Sequence, residues 1–436
     1  MASRFSGFFA PIRHLTWRGW ALIFGIVALL GIVFGFFFVR RPVIEYRQEH
    51  RFSVQDPAFF GSAHALSDPL PIAGNKIELL HNGDQIFPAM LTAIAAATKT
   101  VNFEAFLFNS GEVGSKFRDT LSERALAGLR VRVLLDGVGS GSSLDDSDVK
   151  AMEDAGCQVS YYHPTRSWRL DRTNRRTHRR ILVVDGRIGF TGGVGFADEW
   201  RGNADAPKHW RDIHARIEGP LVAKLQAAFQ QHWVSERKEA LGGADDFPEL
   251  KPAGNLTCQV VASTAFSTAP IPLLQAVTFS SAREKIWIAN AYCIPTDDQV
   301  ELLGKAAARG VDVRMLVPGK QNDQPATKAG GRSAFGGLLK AGVKIFEYKP
   351  TMFHGKTMVA DGIFSMFGSS NFDSRSTSIN EELDVTVYDK GFAQEMERVF
   401  EKDQLQARPY TLADYEKRSL WERLSEWAVL PFRSQL

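Results

Sequence analysis

Two stretches of this sequence set groups able to hold and attack a phosphate at one spacing. In MFHGKTMVADGIFSMFGSSNFDSRS, which runs from Met352 to Ser376, His354 and Lys356 stand two apart. Side chains alternate along a β-strand, so a strand here puts the imidazole and the ammonium on one face. Asp361-Gly362 is a hairpin-turn dipeptide, and Ile363 to Phe367 reads as the returning strand. The following Gly368-Ser369-Ser370-Asn371 then comes back beside the start of the first strand. The predicted hairpin gathers an imidazole, an ammonium, a hydroxyl and an amide at one end, a set suited to phosphodiester chemistry.

The layout occurs twice. In THRRILVVDGRIGFTGGVGF, Thr177 to Phe196, His178 and Arg180 are two apart, Asp185-Gly186 makes the turn, and Gly192-Gly193-x-Gly195 falls at the matching offset. Upstream, VNFEAFLF and ALAGLRVRVLLDGVGS parallel IWIANAYCI and AAARGVDVRMLVPGKQND. Downstream, HWRDIHARI and NEELDVTVYD each offer a strand with an acid, Asp212 and Glu382. Self-similarity on this scale predicts a duplicated domain rather than a short repeat. Strands alternating with helical patterns predict mixed α/β domains.

The pattern His-x-Lys-x4-Asp-x6-Gly-Ser-x-Asn resembles the signature of the phospholipase D superfamily. SSNFDSRSTSINEELDVTVYD, RTHRRILVVDGRIGFTGG and the segment from Trp210 to Pro220 resemble its bacterial cardiolipin synthases in particular, over about Ile77 to Asp403. The resemblance implies two mixed-sheet domains with helices on both faces, related by a pseudo-two-fold axis, with both hairpins in one cleft. It implies that His178 is the nucleophile and His354 the acid/base, and that Arg180 and Lys356 face the phosphate oxygens. By the same analogy Asp212 orients His178 and Glu382 orients His354. Asp185 and Asp361 complete the catalytic motifs, where they are expected to anchor the hairpins or neighbouring groups rather than touch substrate, and Ser369, Asn371 and Gly193 mark the substrate-binding turns. Two departures stand out: Arg180 occupies the usual Lys position, and Gly193 and Gly195 occupy those of Ser and Asn.

The implied reaction passes a phosphatidyl group from phosphatidylglycerol to a second phospholipid through a phospho-histidine. Hydrolysis of phospholipid or nucleic acid by the same fold is the second reading, and an inactive lipid-binding scaffold the third. No cofactor and no metal are expected. Cys157, Cys258 and Cys293 show no CxxC spacing, and the histidines show no ligand spacing. A formal net charge of +3 over 436 residues gives no bulk field for nucleic acid. RSWRLDRTNRRTHRR instead suggests a local basic rim for anionic phospholipid, through Arg166, Arg169, Arg172, Arg175, Arg176, Arg179 and Arg180. Trp168 alone offers a base-stacking ring within it.

From Gly19 to Val39 no residue is charged, which predicts an uncleaved single-pass N-terminal anchor in the bacterial inner membrane, with its side undecided. The predicted order is an anchor at 1–41, a linker at 42–75, repeats at 76–240 and 255–403 with motifs at 178–195 and 354–371, and a helical tail at 404–436. In that tail Leu420, Trp421, Leu424 and Trp427 fall at helical spacing with charges opposite. Packing on the domain is the expectation, and interfacial lipid contact the alternative.

Overall fold

The computed structural model describes residues 16–38, 52–66, 70–164, 173–264 and 269–435. Arg166, Trp168, Arg169 and Arg172 of the expected basic rim lie outside these residues.

Helix Trp17–Phe38 is a separate compact unit from the rest. Here the sequence expectation is corrected. Among the described residues no helix is long and apolar enough to cross a membrane. The transmembrane helix, the membrane-anchored enzyme and the single-pass inner-membrane placement all fall with it.

The body is built on fifteen strands in one sheet. In the first half these are β1 (Ile72–His81), β2 (Thr100–Ala105), β3 (Arg130–Asp136), β4 (Gln158–Tyr162), β5 (Ile181–Val184), β6 (Ile188–Gly192) and β7 (Ile213–Glu218). The second half has β8 (Leu256–Ala262), β9 (Lys285–Asn290), β10 (Asp312–Pro318), β11 (Lys344–Tyr348), β12 (Lys356–Ala360), β13 (Phe364–Gly368), β14 (Leu383–Tyr388) and β15 (Ala407–Tyr410). Reading outward from the centre, the first half runs β1-β7-β6-β5-β2-β3-β4, and the second runs β8-β14-β13-β12-β9-β10-β11 and ends on β15. Strand directions match as well: β2, β3 and β4 are mutually parallel, as are β9, β10 and β11, and the other pairs are antiparallel. β1 and β8 pair antiparallel at the centre, so the expected duplication closes into one continuous sheet.

Both faces of the sheet are covered by apolar packing. Helix Val222–Arg237 buries Leu225, Phe229 and Trp233, and helix Lys390–Gln404 buries Phe392 and Met396, in one cluster shared by the two halves. The opposite faces hold separate clusters around Phe103, Phe117 and Phe196, and around Phe279, Phe335 and Phe364. The expected linker is partly structural. Helix Pro57–Leu66 lies within it and sets Phe59 edge-on to Phe364 at 5.7 Å, in the second half's core.

Candidate active site

The two hairpins form as their turn chemistry requires. Asp185 and Gly186 take positive φ of 51° and 63°, and Asp361 and Gly362 take 48° and 65°. Each Asp also caps the entry to a neighbouring strand. Asp185 accepts from the backbone N–H groups of Thr98, Lys99 and Thr100, and Asp361 from those of Arg283, Glu284 and Lys285. Both carboxylates are thus occupied at the hairpin turns by backbone donors from the neighbouring strand entries.

His178 and His354 stand just before β5 and β12, in segments that pair with the opposite half. Thr177 bridges to Glu381 and Phe353 to Arg211, both in parallel. The N–H of His178 donates to the Glu381 carbonyl at 2.9 Å, and that of His354 to the Arg211 carbonyl at 2.7 Å. This register lines each histidine up with the acid of the other half. His178 Nδ1 lies 2.9 Å from both Glu382 carboxylate oxygens, and His354 Nδ1 lies 2.7 Å from Asp212 Oδ2. The expected pairing within each half is therefore reversed. It rested on proximity in sequence, whereas the bridge register acts between halves.

Further buried contacts fasten the same seam. Arg211 forms an ion pair with Asp403 at 2.9 Å. His232 links Glu104 at 2.6 Å to Glu381 at 3.0 Å. Arg179 donates to the carbonyls of Ala228 and Ser263, one in each half. Arg176 donates to the His163 carbonyl within its own half at 3.2 Å, and its carbonyl accepts from the Glu381 N–H across the seam at 2.9 Å. Arg176 and Arg179 are buried, so these two members of the expected rim act as internal fasteners.

A cation stands against the ring of each histidine. Arg180 Nη2 is 2.9 Å from His178 Nε2, whereas Lys356 Nζ lies beside the whole His354 ring, 3.2 Å from Nδ1 and 3.3 Å from Nε2, and donates to the His354 carbonyl at 2.8 Å. An arginine can only donate, so His178 carries its lone pair on Nε2 and its proton on Nδ1, toward Glu382. Burial, then Arg180 and Lys356, hold His178 well below the ordinary imidazole range. Burial and Lys356 bring His354 down to about 4. Burial, with Arg180 adding to it and Asp212 opposing it, brings Lys356 down to about 7. The acids differ. Burial lifts Glu382 to about 7, against the pull of its hydroxyl donors. Burial also pushes on Asp212, but His354, Lys356 and Trp200 outweigh it and keep that carboxyl below its usual range.

The second half's turn supports Glu382 directly. Ser369 Oγ donates to one carboxylate oxygen at 2.5 Å and Ser376 Oγ to the other at 2.7 Å. Asn371 is buried, its N–H bonded to Ser376 Oγ, and its amide oxygen has no hydrogen-bond partner among the described residues. In the first half, a Cβ at Gly193 would sit 2.2 Å from Asp212 Oδ1, and one at Gly195 would sit 2.9 Å from the Trp200 ring. Gly195 thus makes room for Trp200 and Gly193 for the Asp212 carboxylate, whose Oδ2 accepts the Trp200 indole N–H at 2.8 Å. Trp200 also meets the His354 ring edge-on at 5.0 Å, with Trp210 and Tyr292 completing an aromatic surround. Trp200, Ser376 and Tyr292 were not among the residues singled out from sequence. Only Ser376 carried a signal, as part of the second motif's SSNFDSRS.

A protein-family profile described as "Cardiolipin synthase, PLD-like domain" matches residues 90–233 and 276–404. The chain belongs to the phospholipase D superfamily. Its place is the bacterial cardiolipin synthase-like branch. It is 34% identical over 359 residues to Cardiolipin synthase 1 of Bacillus cereus, covering 80% of this chain and 70% of that protein. It is 35% identical over 342 residues to Cardiolipin synthase A of Pseudomonas fluorescens, covering 77% and 70%. The crystal structure of phosphatidylserine synthase from Haemophilus influenzae superposes with a TM-score of 0.69 at 14% identity, covering 86% of this chain and all of that one. That likeness concerns the fold alone. The chain thus carries a phospholipase D-superfamily catalytic domain related to cardiolipin synthases.

Proposed function

We propose that the protein transfers a phosphatidyl group from phosphatidylglycerol to a free hydroxyl of a second phospholipid, giving cardiolipin and releasing glycerol. The observation that carries this reading is the crossed arrangement of the histidines: each imidazole has a carboxylate of the other half on Nδ1 and a cation against its ring. It gives two independently oriented ring nitrogens, one for phosphorus and one for the departing or arriving oxygen. The names of the relatives, cardiolipin synthases, support the choice of lipid.

In this scheme the phosphate oxygens draw Arg180 and Lys356 off the histidines, freeing both Nε2 atoms. The His178 lone pair attacks phosphorus, the P–N bond forms, and the P–O bond to glycerol breaks as His354 gives the leaving oxygen a proton. The bound anion offsets the Lys356 charge that depresses His354, so the acid is charged when needed. Then the hydroxyl of the second phospholipid loses its proton to His354, attacks phosphorus and breaks the P–N bond. Glu382 holds the Nδ1 proton of His178 and steadies the charge that develops on its ring.

Purified protein incubated with phosphatidylglycerol vesicles is expected to form cardiolipin and glycerol in equal amounts, read by mass spectrometry. Phosphatidic acid as sole product would assign water as the acceptor. No turnover with lipid still bound would leave a binding scaffold.

A further inference from the structure

Helix Leu420–Val429 packs on helix Pro325–Lys340 the opposite way round from an ordinary surface helix. Its acids face the body. Glu426 is buried against Arg418, and Glu422 pairs with Arg332 at 2.8 Å. Its apolar side chains face outward: Leu420 is 78% exposed, Trp421 81%, Leu424 53% and Trp427 72%. The 3-10 turn that follows, Leu430–Gln435, continues the face with Leu430 and Phe432. The packing expected from the sequence is therefore not what forms. Ion pairs pin the helix by its charged side, and a capping box from Ser419 and Glu422 fixes its start. Large leucine and tryptophan side chains left outward on a pinned scaffold are the mark of an interaction surface.

We propose that the face formed by Leu420, Trp421, Leu424, Trp427, Leu430 and Phe432 docks onto an anionic phospholipid surface, lying in it without crossing it. Three observations favour this occupant. The composition is that of an interfacial helix, in which indole and leucine side chains sit at headgroup depth. Among the described residues the unpaired charges that reach solvent beside it are Lys417, Arg423 and Glu416, a net positive border, since half-exposed Glu422 is paired with Arg332 and buried Glu426 with Arg418. The face also continues to the candidate site. Arg433, at its end, donates to the Pro295 carbonyl and pairs with Asp297. Pro295 closes the segment after β9 in which Tyr292 packs on His354. A two-chain amphiphile resting in that surface would be presented to the site from this side. The inference deepens the phosphatidyl-transfer reading and rests on it for the choice of lipid.

The three cysteines are buried, so a single introduced thiol can be labelled selectively in the full chain. Leu424→Cys carrying an environment-sensitive fluorophore is mixed with phosphatidylglycerol–phosphatidylcholine vesicles. The expected result is a blue shift with a several-fold rise in intensity and protection from an aqueous quencher. The same label at exposed Lys150→Cys, on helix Asp146–Asp154, should stay in water. Vesicle-bound protein whose position-424 label remains aqueous overturns the proposal. So does a shift without lipid, which would assign the face to a second copy if it grows with protein concentration and to a segment of this chain if it does not. As a second measure, Trp421→Glu with Trp427→Glu should lower turnover of vesicle lipid about tenfold or more. It should spare a short-chain phosphatidylglycerol dispersed as monomers. Equal loss on both substrates counts against docking. An inactive wild type with an intact label shift would refute phosphatidyl transfer alone, and an active one with a silent label would refute docking alone.

Discussion

Glu382, in the second half, accepts two hydroxyl hydrogens, from Ser369 and Ser376, whereas Asp212, in the first, accepts the indole N–H of Trp200. The strands beneath them run in the same order and directions. The cations differ too, arginine beside His178 and lysine beside His354. Duplication fixed the geometry of the histidines while each half found its own support for the acid. Glycines at 193 and 195 are the other side of that exchange. A Ser–Asn turn and a tryptophan leaning on the acid compete for one space, and the first half holds the tryptophan. The departures in its motif are thus a different way of holding an acid, with the cation and the histidine intact.

The sharpest test of the comparison is the histidines themselves. His178→Ala and His354→Ala should each lower transfer by roughly 10⁴-fold or more, because neither imidazole can cover for the other in a two-step displacement. The pair then separates by what accumulates. With radiolabelled phosphatidylglycerol, an acid-labile phospho-enzyme should be trapped in the His354 variant and absent from the His178 variant. Label trapped only in the His178 variant would exchange the roles of the two halves.

Local pattern carried much of this site. Period-two spacing and Asp-Gly turns placed His178, Arg180, His354 and Lys356 at the hairpins, and repetition indicated that the halves correspond. The acids were legible as residues but not as partners. Which acid meets which histidine depends on the parallel bridges at Thr177 and Phe353, a contact between distant segments with no local trace. The tail misled in the same way. Its apolar spacing was clear, but spacing does not say which face of a helix turns inward, and the pairs Arg418–Glu426 and Arg332–Glu422 decided that. An uncharged run at the N-terminus likewise marked a helix, Trp17–Phe38, without making it a membrane span among the described residues.

The cations come next in size. Arg180→Ala and Lys356→Ala should each cost on the order of 10²- to 10³-fold in kcat, the usual effect of removing one donor aimed at developing charge. Arg180→Lys should recover part of that activity, since it restores charge without the planar fork. The halves should differ in pH response. Lys356, brought down to about 7 by burial, loses its charge as pH rises through that value, while Arg180 keeps its own. Affinity for sulfate, a dianion throughout, should therefore weaken above pH 7 by calorimetry. Glu382, lifted to about 7, becomes negative in the same window and adds to the loss. Lys356→Arg should leave only the Glu382 part. An unchanged pH dependence in that variant would remove Lys356 from the phosphate site.

Gly193→Ser puts the second half's residue into the first half's turn. Its Cβ would lie 2.2 Å from Asp212 Oδ1, so the carboxylate must move and take His354 with it. A displacement of this size at a reacting group costs about 10²-fold. A kinetically silent Gly193→Ser would mean that the two turns are interchangeable and that the glycine is incidental.

The smallest effect should come from Trp200→Phe, which keeps the ring against His354 and removes only the N–H. Asp212 then concentrates its charge on the oxygen that faces His354 Nδ1, favouring the imidazolium. His354, held down to about 4 by burial and Lys356, should titrate higher than in the unaltered protein when its ring is followed by nitrogen NMR. Activity should fall about tenfold, as expected for one charge-assisted hydrogen bond lost from a buried acid. Ser369→Ala, the matching change in the second half, leaves Glu382 its Ser376 donor and should move the His178 titration less. If Trp200→Phe leaves both the rate and the His354 titration where they were, the indole only fills space. The first half would then hold its acid by the Ile213 N–H alone, which donates to Asp212 Oδ1 at 2.7 Å.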